Sequence, residues 1–193
     1  MPIEAAVLVP VKAFARAKVR LAGALDGERR AALAREMASR VVAAADPLPV
    51  YVVCDDESVR DWATSVGATV IWKPGRGLNG AVTEGVAALG LAGYDRVVVA
   101  HGDLPYAKGL SGIASFDGIT LVPDRWEDGT NVIALPARAG FRFCYGPGSF
   151  KRHREQAATL GFPLRIIREP RLGWDVDRPE DLVPPIWAPK GLR

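Results

Sequence analysis

Residues 5–20 read AAVLVPVKAFARAKVR, an unbroken apolar run over Ala5–Val11 followed by Lys12, Arg16, Lys18 and Arg20 with no acid among them. An apolar run of that length predicts a strand covered on both faces, as in a parallel sheet packed between helices. Working outward, Asp26 stands where an N-cap belongs, and Arg29–Ala45 repeats apolar residues at helical spacing until Asp46-Pro47 ends it. Val50–Cys54 (VYVVC) is a second apolar run, Ser58–Val66 a short helical stretch and Ala68–Trp72 a third strand. Gly80–Leu91 reads as a further helix and Arg96–Ala100 (RVVVA) as a fourth strand. Strand and helix in alternation predict a parallel sheet with right-handed crossovers.

Beyond Gly118 the pattern changes. Two strands, Ile119–Pro123 and Asn131–Pro136, are joined by the polar turn Asp124–Thr130 (DRWEDGT). Ser149–Leu160 is predicted helical, Leu164–Arg168 a last strand, and Pro179–Leu182 one helical turn capped by Asp177. The tail from about Pro184 (PPIWAPKGLR) is too rich in proline to be regular. With no repeat and no break in composition, residues 1–193 read as one α/β domain, a mostly parallel mixed sheet flanked by helices.

Composition sets the bounds. A chain of 193 residues, 49% hydrophobic and 24% charged, excludes disorder, coiled coil and collagen. At this length folding buries roughly 70% of the unfolded surface, so a core forms without metal or disulfide staples. Cys54 and Cys144 form no CxxC pair, which excludes a zinc knuckle and points to a reducing cytoplasm. No stretch approaches the ~20 apolar residues of a bilayer span, and Glu4 stands where a signal peptide carries cations, so no membrane association is expected. A net charge of +3 and a pI near 9.0 suit anionic partners without choosing among them.

In open α/β sheets ligands bind beyond the carboxyl ends of the strands. After strand one come Lys12, Arg16, Lys18 and Arg20, a set that suits a polyphosphate, with a solvated basic loop as the plain alternative. The GxxxxGK[ST] of a P-loop is absent. Residues 75–80, GRGLNG, formally match GxGxxG, but the dinucleotide fingerprint belongs to the first strand and this one follows the third. Gly77–Gly80 suits close approach of a nucleotide, with Asn79 offering an amide to a base or ribose, or is simply a turn. Asp103 ends strand four, and Asp175 and Asp177, two apart in an extended segment, point the same way. Three hard oxygen donors suit Mg²⁺, although Asp103 and Asp177 could equally cap a loop and a helix. Gly129-Thr130-Asn131 and Gly146-Pro147-Gly148-Ser149 are small-residue turns, the second opening a helix whose N-terminus could bind a phosphate, with Ser149 as an ordinary N-cap otherwise. His101 and His153 receive no catalytic role, because no GxSxG elbow accompanies them.

Taken together, VPVK at 9–12, ARAKVRL at 15–21, GLNGAV at 77–82, GDLP at 102–105, DGTNVI at 128–133, YGPGSF at 145–150 and DVDRPEDL at 175–182 resemble the small guanylyltransferases of deazaflavin coenzyme F(420) biosynthesis. The resemblance implies a nucleotide-diphospho-sugar-transferase-like (GT-A-like) domain that joins GMP from GTP to phosphoenolpyruvate, 2-phospho-L-lactate or 3-phosphoglycerate. It implies GTP over Val9, Pro10, Lys12, Lys18, Arg20, Gly77, Leu78 and Asn79, with Lys18, Arg20 and Asp103 as catalytic residues. It further implies one or two Mg²⁺ on Asp103, Asp175 and Asp177, and the phosphorylated three-carbon acid on Thr130, Gly146 and Ser149. The product would be handed to the next transferase of the pathway. Other nucleotidyltransferases of the same fold and an NAD-binding dehydrogenase are the alternative readings. Nucleic acid is not an expected partner, since the carboxylates interleaved with the cations repel a phosphate backbone without metal.

Overall fold

The computed structural model describes residues 4–188. The opening strand is β1 (Ala5–Pro10), and β4 (Arg96–Ala100), apolar from Val97 on, lies beside it, parallel. On its other side β1 pairs in parallel with β2 (Val50–Cys54), which pairs with β3 (Thr69–Trp72). Beyond β4 lie β6 (Thr130–Pro136), antiparallel to both its neighbours, then β5 (Ile119–Pro123) and β7 (Leu164–Ile166). The sheet order is β3-β2-β1-β4-β6-β5-β7, a mixed seven-stranded sheet that is mostly parallel, as the alternation predicted.

Helices cover both faces. α1 (Gly27–Ala43) begins two residues before the predicted start, with the Asp26 carboxylate accepting from Arg29 N at 2.8 Å. α2 (Glu57–Ser65) is capped in the same way by Asp56. These helices pack against Val7, Val9, Val52 and Val98. The opposite residues of the same strands, Ala6, Leu8, Val97 and Val99, meet α3 (Gly77–Leu91) and α4 (Ser149–Thr159). Side chains alternate across a strand, so an apolar run such as Ala5–Val9 or Val97–Ala100 must be buried on both faces, and both are.

Several expectations are corrected. α3 starts at Gly77 rather than Gly80, so Gly77, Leu78 and Asn79 are its first turn. β7 stops at Ile166, and a four-residue helical turn, α5 (Pro170–Gly173), follows. The turn at Pro179–Leu182 is not capped by Asp177; the Asp181 carboxylate instead turns back and accepts from Asp177 N and Arg178 N, both at 2.8 Å. Ser149 is not an N-cap, since Gly148 holds that position at φ 69°. Residues 183–188 carry no helix or strand, and the rest of the proline-rich tail lies outside the described residues. Among the described residues no helix is long and apolar enough to cross a membrane.

Candidate active site

Strand order reverses between β1 and β4, since the chain runs outward from β1 to β3 and then returns to β1's other side. A crevice opens at the carboxyl ends of such a pair. The segment after β1 enters it through two turns, Phe14–Arg16 and Val19–Leu21, anchored at both ends. Phe14 is buried edge-on to Trp62, and Leu21 is buried with Met37 and Val176. Between these anchors Lys18 adopts φ 53°, a left-handed conformation that costs a non-glycine residue of order 1 kcal/mol.

That conformation delivers the Lys18 ammonium between two carboxylates, 2.7 Å from Asp103 Oδ2 and 2.9 Å from Asp177 Oδ1. Burial works against the ammonium's charge, but Asp103 and then Asp177 outweigh it and raise the pKa well above the lysine norm. Asp103 is lowered in spite of its burial, held ionised by Lys18. Asp175 stands nearby without a cation of its own; burial and the charge of Asp103 push it up to about 6. Arg20 lies on the rim, 3.5 Å from Asp177 and largely exposed, and Lys12 is exposed on the same segment.

The predicted metal ligands therefore share one corner, with Lys18 occupying the position between two of them. Among the described residues no three of these groups are already closed into a ligand shell. The donors nonetheless fit a hard divalent cation: Asp103 Oδ1 is buried without a hydrogen-bond partner, and Asp175 is strained by uncompensated negative charge.

Two residues to which the sequence assigned no role hold this corner in place. Arg125 donates to Asp175 O at 3.1 Å, pairs with the buried carboxylate of Asp181, and stacks 4.2 Å over Trp174. Asp181 in turn orients the Asp177–Arg178 backbone, which frees the Asp177 carboxylate to face Lys18. Neither residue belongs to a spacing pattern; only the folded chain brings Arg125 to a segment some 50 residues away.

Thr130 and Ser149 form a second group. The turn between β5 and β6 is folded around Asp124, whose carboxylate accepts from the backbone of Trp126, Asp128 and Gly129. A Cβ on Gly129 would stand 2.7 Å from Asp124 Oδ2, so the close approach requires glycine there. Thr130 follows, with its Oγ1 3.5 Å from Ser149 Oγ and 3.0 Å from His153 Nδ1. Asp128 reaches across to accept from Gly148 N at 3.0 Å, and Gly146 lies in the same turn. The fold thus brings Thr130, Gly146 and Ser149 together. His153, which the sequence left without a role, lies directly beneath them.

Asn79 joins the two groups. Its Oδ1 accepts from Tyr145 N at 2.7 Å, so the amide expected to face a nucleotide has its oxygen engaged and its Nδ2 left over. The Tyr145 ring packs 4.6 Å from the ring of His101, two residues before Asp103. The first turn of α3, the Tyr145–Ser149 turn and the carboxylate corner are therefore contiguous.

The architecture is that of the nucleotide-diphospho-sugar transferases: a structure of that description from Desulfovibrio desulfuricans G20 superposes with a TM-score of 0.77 over 93% of this chain and 85% of the other, at 17% identity. More particularly, residues 5–187 match the family described as Guanylyl transferase CofC like, and the chain belongs to it. The phosphoenolpyruvate guanylyltransferase of Sphaerobacter thermophilus is 34% identical over 184 residues, 91% of this chain and 89% of that protein. The enzyme of the same name from Roseiflexus castenholzii is 33% identical over 181 residues, 91% and 85% of the two chains. The protein is a nucleotidyltransferase of the guanylyltransferase kind.

Proposed function

We propose that this enzyme transfers GMP from GTP to phosphoenolpyruvate and releases pyrophosphate, acting in the cytoplasm in the assembly of the deazaflavin coenzyme F(420). The observation that carries the reading is the convergence of Lys18, Asp103, Asp175 and Asp177 in one corner, linked through the packed rings of His101, Tyr145 and His153 to Thr130 and Ser149. One corner has charges suited to a triphosphate and its cation, and the other has neutral donors suited to a phosphate.

The acceptor's phosphate has a second pKa of about 6 and is largely dianionic at pH 7. It needs no general base. A phosphate oxygen forms a bond to the α-phosphorus of GTP while the bond from that phosphorus to the bridging oxygen breaks, and pyrophosphate leaves with the electron pair. The work of the protein is to hold two anions in line and to stabilise the charge that builds between them. The first turn of α3, from Gly77 through Leu78 to Asn79, offers unpaired helix N–H groups to the nucleotide, with Val9, Pro10 and Lys12 lining the end of β1. Lys18 and Arg20 supply positive charge to the phosphates. Thr130, Ser149 and the backbone of Gly146 hold the phosphorylated acid. Asp103, Asp175 and Asp177 would hold one or two Mg²⁺, whose chemistry is neutralisation of phosphate charge.

The test is pyrophosphate release in Mg²⁺, with GTP, ATP, CTP and UTP crossed against phosphoenolpyruvate, 2-phospho-L-lactate and 3-phosphoglycerate, and a downstream transferase added to consume the product. Release with GTP and phosphoenolpyruvate alone is the expected result. Release with another nucleotide, or preference for another acid, overturns that part of the assignment.

A further inference from the structure

His153 is fully buried on α4, and both of its ring nitrogens are engaged. Nε2 lies 3.0 Å from Cys144 N. A backbone N–H can only donate, so Nε2 carries the lone pair and the proton of the neutral imidazole sits on Nδ1. Nδ1–H therefore donates to Thr130 Oγ1 at 3.0 Å. The Ser149 hydroxyl approaches the same oxygen from 3.5 Å. With the imidazole N–H directed at one of its lone pairs, the buried Thr130 hydroxyl keeps its own proton to donate. Burial, then Arg152 and His101, push the His153 pKa down to about 4, so this arrangement is the one present at neutral pH. On the other side of the turn, Arg152 donates to Cys144 O and Pro147 O, so the segment that carries Gly146 is gripped from within by His153 and from without by Arg152.

We propose that His153 is a positioning residue that makes Thr130 an obligate hydrogen-bond donor to the acceptor's phosphate. This rests on the assignment of Thr130, Gly146 and Ser149 to the phosphorylated acid. The two ring nitrogens do separable work, which side-chain length can divide. Asparagine places its amide near the Nδ1 position and can still donate to Thr130, whereas glutamine places its amide near Nε2 and serves Cys144 only.

The experiment is steady-state kinetics of the full chain with GTP, phosphoenolpyruvate and Mg²⁺, comparing His153→Gln, His153→Asn, Thr130→Val and the His153→Gln/Thr130→Val double variant. Expected is a rise of about tenfold in the phosphoenolpyruvate KM of His153→Gln, with the GTP KM unchanged, since one hydrogen bond to a charged group is lost. His153→Asn restores most of the affinity, and the double variant is no worse than Thr130→Val alone. Multiplying effects in the double variant, or a folded His153→Gln with unchanged phosphoenolpyruvate KM, overturn the role of His153. An unchanged KM in Thr130→Val instead overturns the acceptor assignment beneath it. Imidazole ¹⁵N shifts of the unaltered protein supply a test free of any folding defect: an Nδ1–H tautomer at His153 is expected, and an Nε2–H tautomer refutes the proposal.

Discussion

On the β1 side of the sheet, Val7, Val9, Val52 and Val98 meet their helices through apolar contact, whereas beyond β4 the buried residues include Thr120, Thr130, Asn131, Ser149, His153 and Asp181. Among the described residues only Arg96 is a buried polar side chain before that point, and it donates to Ala114 O and Gly118 O. The first half is thus held by transfer of apolar surface from water, which is non-directional and tolerant of small shifts. The second half has an apolar core as well, with Ile119, Leu121, Ile133, Leu135 and Phe150 buried, and adds to it buried hydrogen bonds, in which removal of one partner strands the other. The site draws on both halves. Lys18 and Asp103 hang from the mouth of the apolar half, while Asp177 and the Thr130 hydroxyl are oriented by the hydrogen bonds of the other.

The largest effect belongs to the carboxylate corner. Asp103→Asn keeps the shape but removes the charge that Lys18 and a divalent cation meet, and we expect kcat to fall by roughly a hundred- to a thousandfold with an unchanged fold by circular dichroism. Full activity in that variant would break the link between the corner and the chemistry.

The next contrast sets one arginine of each half against the other. Arg125→Met leaves the buried Asp181 carboxylate without its cation and releases the backbone of Asp175, at a cost of about 3–5 kcal/mol in urea unfolding. Arg20→Met, which removes an exposed pair, changes stability by less than about 1 kcal/mol. Equal losses would dissolve the distinction between the halves.

A pH series sharpens it further. Folded Asp175 takes up its proton at about 6 against 3.8 when unfolded, so between those values the folded state binds more protons. Its contribution is therefore favourable below 3.8 and is lost as pH rises through 6. Asp175→Asn is expected to be more stable than the unaltered chain at pH 8, by up to about 3 kcal/mol in chelator, with the gain gone by pH 4. His153 has the opposite sign, with a pKa of about 4 folded and 6.5 unfolded. The folded state then binds fewer protons, and stability falls as pH drops from 6.5 toward 4. His153→Asn should flatten that limb alone. Unfolding midpoints at pH 4.5, 6 and 8 read both effects.

The smallest expected change lies away from the site. Asp26→Ala removes the N-cap of α1 and is expected to lower stability by about 1 kcal/mol without altering kcat.

Much of this was legible in the chain. The strands β1, β2 and β4 announce themselves because strands covered on both faces carry runs of consecutive apolar residues, and Asp26 marks its helix because an N-cap needs a short oxygen-bearing side chain. Asp103, Asp175, Asp177, Thr130, Gly146 and Ser149 were visible because strand ends and small-residue turns are local features. The capping role of Asp181, the bridge from Asn79 to Tyr145 and the service of His153 to Thr130 were not. Each is a hydrogen bond whose partner is chosen by direction over a few ångströms, and the same residue two positions along a helix or one along a strand would face elsewhere.

What the sequence determined by itself was the class of architecture and the candidates for the site, because apolar periodicity and strand-end chemistry are written along the chain. What the tertiary structure alone decided was the pairing within that site: Lys18 between Asp103 and Asp177, Arg125 against Asp181, His153 beneath Thr130. The physical reason is that burial depends on composition over several residues, whereas a charge or a hydrogen bond depends on one distance and one angle, and those exist only once the sheet has brought distant strand ends together.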